Sequence, residues 1–406
     1  MRPAGAAPRP GGSGPIATPR GPRGELGFPT SHGGPCRPPG TVRSGRGTTV
    51  ANGGTGAADA GGVTGAGDGA DPRQLVQLVF GSMAAQTLRA AARMRVVELI
   101  GDKERTAAEV AAEAGARPEG MIRLLRALAG IGVVAERTPG VFAVTPTGAL
   151  LDSRRPGNVA SLVLMMSDPT MLRGWEHLDE VVRTGEPAFD TVFGTDFFGH
   201  LREHPEESAR FNEAMSQSTG AAAATLPRAF DFTRFATVAD VGGGDGTLLS
   251  AVLKEHTGLT GIIYDTAEGL AQAPATLERH GLTERCSSVA GDFFQSAPKG
   301  ADLYLLKSIL HDWPDERAVT ILSHCRAVLP PEGRVLILEH VLPEAVDPAA
   351  PGFAYLSDLN MLVNLGGRER TRADFDELCG RAGLSIVSVT PMGAPNPLSM
   401  IEVAAA

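Results

Sequence analysis

Beyond residue 70 the chain opens with runs in which apolar residues recur every three or four positions, the spacing of amphipathic helices. These runs predict a helix from Pro72 onward and further helices over Leu88–Ile100, Ala107–Ala114 and Pro118–Ala129. Thr106 and Glu109 form a capping-box sequence at the start of the third helix. Two β-rich runs, Val133–Ala135 and Val141–Val144, then flank a Pro-Gly turn and predict a hairpin. Helices followed by a hairpin in this order are typical of a winged-helix module, which we place at residues 71–150.

Residues 151–230 are mostly helical in pattern but are interrupted by prolines, which predicts several shorter helices. Aromatic residues concentrate here, namely Trp175, Phe189, Phe193, Phe197, Phe198 and Phe211. A packed core explains most of them. A helical layer that covers an active site would also explain the methionine-rich stretches around residues 165 and 215, and both interpretations stay open.

From Ala236 onward short apolar strands alternate with helices. The predicted strands are Thr237–Val241, Thr260–Tyr264, Ser287–Ala290, Leu303–Leu306, Val335–Leu338, Ser385–Thr390 and Leu398–Val403. Such alternation indicates a parallel sheet that is covered by helices on both faces. The last two strands are separated by a Pro/Gly-rich loop and predict a hairpin. We therefore expect an α/β fold class, with a doubly wound, Rossmann-like sheet over residues 231–406 whose last strand runs antiparallel.

Composition sets the first 70 residues apart from the rest. They hold 20 of the 51 glycines and 10 of the 30 prolines, with seven arginines and three acids. A stretch with so little apolar surface cannot offset the entropy lost on ordering, so we predict a disordered tail that folding and activity do not need. The whole chain carries −9 and this tail +4, so residues 71–406 carry −13, which disfavours non-specific nucleic-acid binding.

Several other classes are disfavoured as well. No run of 18 apolar residues and no apolar secretory signal occurs, so we expect a cytoplasmic protein without membrane contact. The four cysteines lie far apart, and neither they nor the histidines are spaced like metal ligands. We therefore expect no disulfide framework and no bound metal.

The winged-helix module admits two functions. It could read DNA through the helix that carries Arg123 and Arg126, or it could serve as a packing and dimerisation unit. The arginines there are interspersed with acids and form no dense basic stripe, which favours the second function.

Candidate chemistry lies where the predicted strands end, since ligands of open α/β sheets bind at the carboxyl ends of the strands. The first strand is followed by Gly242-Gly-Gly-Asp-Gly246, a spacing that differs from the Gly-x-Gly-x-x-Gly of dinucleotide enzymes. Asp265 follows the second strand, 19 residues past Gly246, where a carboxylate can accept hydrogen bonds from ribose hydroxyls. A nucleoside without a pyrophosphate fits this pattern, and S-adenosylmethionine is the leading candidate.

Several segments carry a resemblance to a known family. Asp240–Gly246, Gly291-Asp-Phe-Phe294 and Leu306–Pro314 resemble the class I small-molecule O-methyltransferases, especially the branch shared by plant caffeate-type and bacterial polyketide enzymes. Phe211–Met215 and Gly367–Thr371 match in the same order, so the resemblance spans about residues 75–404. It implies S-adenosylmethionine as cofactor, a small hydroxylated and aromatic acceptor, and a homodimer formed through the winged-helix module.

The resemblance also implies roles for individual positions. The implied cofactor-binding residues are Gly242, Gly244, Gly246, Asp265, Asp292, Phe293, Lys307 and Ser308. The implied acceptor-lining residues are Met165, Met215, Asn360, Met361 and Asn364. His311 matches the family's general base, and Glu339 and Glu369 match two acids that position it.

Acid–base chemistry also favours His311 as a general base. A phenol has a pKa near 10, so a neutral imidazole is suited to take its proton as the oxygen attacks a methyl group. His311 could instead merely cap the following helix, and some relatives are thought to rely on proximity alone. Glu339 could be a solvated acid at a strand end, and Glu369 could belong to a surface ion cluster with its flanking arginines.

Two alternatives to methyl transfer stay open at this point. The chain could be a winged-helix regulator that uses a degenerate methyltransferase domain as a ligand sensor. It could also be a relative that keeps the cofactor but catalyses decarboxylation or hydroxylation.

Overall fold

The computed structural model describes residues 72–346, 352–393 and 396–406 of the 406-residue chain. The predicted tail over residues 1–70 lies outside the described residues. The N-terminal unit contains α1 (Pro72–Arg93), α2 (Val96–Ile100), β1 (Arg105–Thr106), α3 (Ala107–Glu113), α4 (Pro118–Gly130), β2 (Val134–Thr138) and β3 (Val141–Val144). Its three strands form a small antiparallel sheet in the order β1-β3-β2. The predicted helices and hairpin of the winged-helix module are therefore present.

Helix α1 differs from the prediction. The sequence pattern separates two helical runs, but α1 continues to Arg93 because residues 84–87 contain nothing that stops a helix. The break comes at Arg95, which adopts a left-handed backbone conformation with φ 54°. The capping box of α3 is confirmed, since Thr106 and Glu109 each accept a hydrogen bond from the other's backbone N–H.

The core of this unit lies under α4. Met121, Leu125 and Leu128 recur along one face of the helix and are buried against Val97 and Phe142. The spacing of apolar residues in α4 thus places its hydrophobic stripe inward, as an amphipathic helix requires.

A helical segment connects the two larger units. It comprises α5 (Ala160–Met166), α6 (Pro169–Leu172), α7 (Leu178–Thr184), α8 (Ala188–Phe193), α9 (Phe197–Glu203) and α10 (Pro205–Ala229). Phe189 and Phe197 are buried, and their rings meet edge to face at 5.2 Å. Phe198 stacks on Trp313 at 5.2 Å, two residues from His311. The aromatic residues therefore build a small core and also border the candidate site.

The C-terminal unit alternates strands and helices. Its elements are β4 (Thr237–Val241), α11 (Thr247–Glu255), β5 (Thr260–Asp265), α12 (Ala273–His280), β6 (Cys286–Ala290), β7 (Leu303–Lys307), α13 (Asp315–Val328), β8 (Arg334–Glu339), β9 (Val341–Leu342), α14 (Phe353–Asn364), β10 (Arg370–Thr371), α15 (Arg372–Arg381), β11 (Leu384–Pro391) and β12 (Ser399–Ala405). The seven-stranded sheet has the order β11-β12-β8-β7-β4-β5-β6. Strands β4 to β8 pair in parallel, and β12 runs antiparallel to both β8 and β11, which confirms the predicted doubly wound sheet.

The strand order brings the candidate residues together. Strand β5 pairs with one edge of β4, and β7 pairs with the other, so the order reverses at β4. Leu303, Leu305 and Leu336 pack on one face of the sheet, and Tyr304 and Leu306 pack on the other. Burial on both faces accounts for the continuous apolar runs, and the reversal opens a crevice at the carboxyl ends of β4 and β7.

Helix α14 is absent from the sequence-based prediction. Its residues are apolar on nearly every side, so their spacing does not single out a helical face. The short parallel pair β9-β10 follows β8 and leads to α15, which begins at a capping box formed by Thr371 and Asp374. Of the helices that the structure describes, none has both the length and the apolar character needed to cross a bilayer.

Candidate active site

The glycine loop after β4 requires glycine at three positions. Gly242, Gly244 and Gly246 have φ values of 75°, 55° and 75°, in the left-handed region that side chains disfavour. A Cβ at Gly242 would collide with Ile309, and one at Gly246 would collide with Ile263. A Cβ at Gly244 would have no described atom within 4 Å. The loop is therefore packed at both ends and open to a ligand in the middle.

Asp265 lies beside the open middle of this loop and binds its backbone. Its Oδ2 accepts a hydrogen bond from the Gly244 backbone N–H at 2.9 Å, and its Oδ1 accepts one from Thr266 N–H at 2.7 Å. Burial raises the pKa of Asp265, although these backbone donors favour its charged form. A Cβ at Gly269 would strike the Asp265 carboxylate, so this unpredicted glycine makes room for it. Asp265 thus holds a carboxylate beside the open backbone, as binding of ribose hydroxyls requires.

Two buried charges lie beneath the loop. Burial raises the pKa of Asp240 to about 7, and Asp240 Oδ2 has no hydrogen-bond partner among the described residues. Burial lowers the pKa of Lys307 at the end of β7, while Glu339 and Asp240 favour its charge. Its Nζ donates to Thr219 Oγ1 at 3.3 Å. The neighbouring Ser308 has φ 53°, a strained conformation for a residue with a side chain.

Asp292 and Phe293 form the loop after β6. The Asp292 side chain is exposed, and its Oδ1 accepts a hydrogen bond from Phe294 N–H at 2.8 Å. The Phe293 ring lies 3.8 Å from the position of a Cβ built on Gly242. The structure therefore brings Phe293 next to the glycine loop.

His311 lies in a short turn after β7, where both nitrogens of its ring face carboxylates. Nδ1 is 3.0 Å from Glu369 Oε1 and 3.6 Å from Glu339 Oε2. Nε2 is 3.4 Å from Asp312 Oδ1. Helix α13 begins after Pro314 without a side-chain cap, so the interpretation of His311 as a helix cap is wrong.

Glu339 fixes the turn that carries His311. Its Oε1 accepts the backbone N–H of Ile309 and of Leu310, each at 2.9 Å, and that of His311 at 3.4 Å. Its side chain is 1% exposed, so the interpretation of Glu339 as a solvated acid is wrong. Burial raises its pKa, which the positive charge on His311 opposes.

Glu369 orients the histidine ring from the opposite side. Its Oε1 accepts hydrogen bonds from His311 Nδ1 and from the Ser357 hydroxyl, the latter at 2.8 Å. Its backbone N–H donates to Asp358 Oδ1 at 2.8 Å. Burial disfavours the charge of Glu369, but the hydrogen bond and positive charge of His311, together with His340 and the Ser357 hydroxyl, outweigh burial and lower the pKa of Glu369. Glu369 is fully enclosed, so it does not belong to a surface ion cluster.

The carboxylates control the charge of His311. Burial alone would lower its pKa, but Glu339, Asp312 and Glu369 outweigh burial and raise that pKa to about 10. Burial is also the main reason why the pKa of Asp312 rises to about 7. The imidazole is therefore positively charged at neutral pH, and Asp312 titrates near neutrality.

Arg370 supports the turn that carries His311, and the sequence does not predict this role. It is 1% exposed and donates to the carbonyls of Leu310 at 2.8 Å and Trp313 at 2.9 Å. It also binds Asp315 Oδ1 at 2.7 Å. Arg368 N–H donates to the His311 carbonyl at 2.9 Å. The Gly367–Thr371 motif thus supplies the backbone and side-chain donors that hold the histidine turn.

Two of the predicted acceptor-lining residues of α14, Asn360 and Asn364, form one buried polar group. Asn360 Oδ1 accepts hydrogen bonds from Trp175 Nε1 at 3.2 Å and from Asn364 Nδ2 at 2.9 Å. Asn364 Nδ2 also donates to the Met171 carbonyl at 3.3 Å. Met361, next to Asn360, is buried as well. These contacts join α14 to the connecting helices.

The two predicted methionines lie on the connecting helices. Met165 on α5 lines a cavity of about 360 Å³ together with Phe197 and Phe211. Met215 is half-buried on α10, and its carbonyl accepts the hydroxyls of Ser218 and Thr219. Met165 and Phe211 thus line the cavity directly. They also pack in the same cluster as Phe198, whose ring contacts Trp313.

His311, Glu339 and Glu369 also offer three possible metal-ligand atoms within 4.8 Å of one another. The hydrogen bond between His311 and Glu369 already uses two of these side chains. Metal independence stays a prediction.

Comparison with known proteins identifies the family. A model described as the O-methyltransferase domain matches residues 175–385, and one described as the O-methyltransferase dimerisation domain matches residues 76–153. The chain is 43% identical to O-demethylpuromycin-O-methyltransferase of Streptomyces alboniger, over 83% of this chain and 89% of the relative.

Solved structures agree with this assignment. The crystal structure of LaPhzM superposes with a TM-score of 0.77 at 38% identity and covers 82% of this chain and 99% of its own. An O-methyltransferase from neocarzinostatin biosynthesis, solved with S-adenosylmethionine and 2-hydroxy-5-methyl naphthoic acid, superposes with a TM-score of 0.67 at 33% identity, over 79% of this chain and 96% of its own. The chain therefore belongs to the S-adenosylmethionine-dependent O-methyltransferases that carry an N-terminal dimerisation domain.

Proposed function

We propose that this enzyme methylates a hydroxyl group of a small aromatic metabolite. The observation that carries the proposal is the His311–Glu369 hydrogen bond of 3.0 Å, held at the carboxyl ends of the strands beside the open glycine loop. The Streptomyces alboniger relative is named for O-demethylpuromycin, and the neocarzinostatin enzyme was solved with a naphthoic acid. Both names support an aromatic acceptor.

The residues around the glycine loop fit the cofactor. Gly244 leaves its backbone open and Asp265 offers a fixed carboxylate, which suits the ribose, while the Phe293 ring offers a face for the adenine. We assign Gly242, Gly246, Asp292, Lys307 and Ser308 to the same site. When bound there, S-adenosylmethionine supplies an electrophilic methyl group.

His311 handles the proton of the acceptor. With a pKa of about 10, His311 is charged at neutral pH and stabilises a phenolate oxygen through Nε2. It accepts the phenolic proton as a general base only when its ring is neutral, and the share of this form grows as the pH approaches 10. Asp312 Oδ1, 3.4 Å from Nε2, favours the charged form of the ring. Glu339 and Glu369 hold the ring in place during this proton transfer.

The proposal is tested by incubating the full chain with S-adenosylmethionine and a panel of hydroxylated aromatic compounds. We expect a product heavier by one CH₂ group, with methyl on oxygen. A product that has lost carbon dioxide or gained oxygen would instead show the decarboxylase or hydroxylase alternative.

The homodimer is proposed from an uncovered face of α1. Leu75, Leu78, Val79, Phe80 and Met83 are each more than half exposed in the single chain. An apolar surface of this kind is expected to be covered by another protein surface. The match of a dimerisation domain to residues 76–153 supports a second copy as its partner, and light scattering on the Leu78→Asp variant tests it.

DNA binding is disfavoured by the pairing of arginines in the winged-helix module. Arg126 on α4 is bound to Glu136 on β2 at 3.1 Å, and Arg105 is bound to Glu113. We propose that the module binds no nucleic acid, and a gel-shift assay with promoter DNA tests this.

We also propose a cytoplasmic setting, since the three cysteines in the described ranges are buried free thiols.

A further inference from the structure

A cavity of about 360 Å³ lies between α1 and the connecting helices. Its floor is apolar and includes Met165, Met171, Phe197 and Phe211. This volume lies within the range of small-molecule sites, and an apolar floor with few polar groups is their usual construction. The cavity is thus suited to an aromatic ring system.

The cavity adjoins the candidate active site through two sets of contacts. Phe198 packs edge to face on Phe197 at 5.4 Å and stacks on Trp313, which follows Asp312 in the histidine turn. On the other side, the Met171 carbonyl accepts the hydrogen bond from Asn364. The cavity therefore borders the same side chains that contact the histidine turn and α14.

Its wall carries an excess of positive charge. Both acids of the wall are already engaged. Asp168 is bound to Arg89 at 2.5 Å, and Glu207 accepts the Thr170 hydroxyl at 3.1 Å and faces His200 Nε2 at 3.2 Å.

Three arginines line the same wall. Arg93 and Arg210 are exposed at the rim of the cavity and form no ion pair with any residue in the described ranges. Arg89 Nε is buried and has no acceptor among the described side chains and backbone. An unsatisfied buried donor is costly, so Arg89 Nε favours a ligand that brings an acceptor oxygen, and the two unpaired arginines favour a ligand with negative charge.

We propose that this cavity binds a carboxylate substituent of the aromatic acceptor, held by Arg93 and Arg210. The guanidinium groups bind the carboxylate through charge-assisted hydrogen bonds, and the apolar floor contacts the ring that carries it. This inference rests on the proposed function, because it names the class of acceptor for the same reaction: aromatic acids that also bear a hydroxyl group.

The experiment compares two probes that differ only in charge. Binding of 3-hydroxy-2-naphthoate and of its amide, 3-hydroxy-2-naphthamide, is measured by calorimetry on the full chain with S-adenosylhomocysteine present. We expect the acid to bind about tenfold more tightly than the amide. In the Arg93→Gln/Arg210→Gln variant the two probes should bind equally. Arg202→Gln, an exposed arginine on α9 outside the cavity wall, is the matched control and should keep the preference.

Every other outcome overturns the proposal. Equal binding of acid and amide to the unmodified enzyme shows that charge is not recognised, and a preference that survives in the double variant shows recognition elsewhere. Failure of both probes to bind shows that the cavity takes no aromatic acid. Methyl transfer to neutral phenols without preference for acids would remove this inference and keep the proposed function. Arginine-dependent binding of the acid without methyl transfer to any acceptor would keep this inference and remove the proposed function.

Discussion

Glu369 holds the ring of His311 through one oxygen atom that Ser357 also contacts. Oε1 accepts the His311 Nδ1 hydrogen bond at 3.0 Å and the Ser357 hydroxyl at 2.8 Å. Nε2, the other ring nitrogen, is thereby directed away from Glu369 and toward Asp312. The orientation of the histidine depends on residues from three separate elements: the turn after β7, α14 and the segment before β10.

Replacing His311 with Gln should reduce turnover by about 10²- to 10⁴-fold, because general acid–base groups contribute rate enhancements of this size. Affinity for S-adenosylhomocysteine should stay unchanged, since His311 is not among the residues assigned to the cofactor. Calorimetry and steady-state kinetics measure the two effects separately. Turnover close to that of His280→Gln, a control on α12, would show that proximity alone accounts for the rate.

Ser357→Ala should lower kcat about threefold to tenfold, because Glu369 loses one of the two donors on Oε1. The KM for the cofactor should not change. Ser357→Thr keeps the hydroxyl group and should restore kcat. A Thr variant as slow as the Ala variant would indicate that side-chain volume at this position matters and the hydrogen bond does not.

Arg370→Met should destabilise the protein by about 3–5 kcal/mol, because it leaves Asp315 and the carbonyls of Leu310 and Trp313 without their buried donor. Urea unfolding measures this change. Arg372→Met provides the control and should cost less than about 1 kcal/mol, since Arg372 is exposed and, among the described residues, is bound only to the exposed Asp376. Equal costs for the two variants would contradict the role of Arg370.

The charge of His311 should make stability depend on pH. Its pKa rises from an unfolded value of about 6.5 to about 10 in the folded protein. A raised folded pKa stabilises the folded state fully below pH 6.5, and this contribution disappears as the pH rises through 10. The free energy of unfolding of the unmodified protein, relative to His311→Gln, should therefore decrease across this interval. A difference that stays constant would show that His311 is neutral in the folded protein.

Dialysis against a chelator should leave turnover unchanged. His311 and Glu369 are already bound to each other, and Glu339 Oε1 accepts backbone donors. Loss of activity that Mg²⁺ or Mn²⁺ restores would assign the three side chains to a metal instead.

The sequence predicts the sheet better than it predicts the surroundings of the site. Strands such as Val335–Leu338 are recognised because burial on both faces produces unbroken apolar runs. The capping box at Thr106 and the glycine loop are also local signals. Glu339 and Glu369 are 30 residues apart, and their burial beside His311 arises only from the order of β7 and β8 and the path of the chain after β8.

The remaining site residues have no local signal. Arg370 and Ser357 are polar residues whose burial depends entirely on distant partners, so the sequence alone gives no reason to prefer them to exposed neighbours. Helix α14 was missed because its apolar residues surround the helix. The excess positive charge in the cavity wall cannot be predicted from the sequence, since Arg93 and Arg210 lie on helices that are far apart in sequence.

The position of β12 has a consequence for biosynthesis. This strand follows every other strand of the sheet in chain order, yet it lies between β8 and β11. While the protein is being translated, β8 therefore exposes an unpaired edge until residues 399–405 have left the ribosome. A nascent chain that ends before this point presents the unpaired backbone N–H and C=O groups of β8 to other nascent chains. Early termination in the last strand therefore favours aggregation over the release of a partly active enzyme.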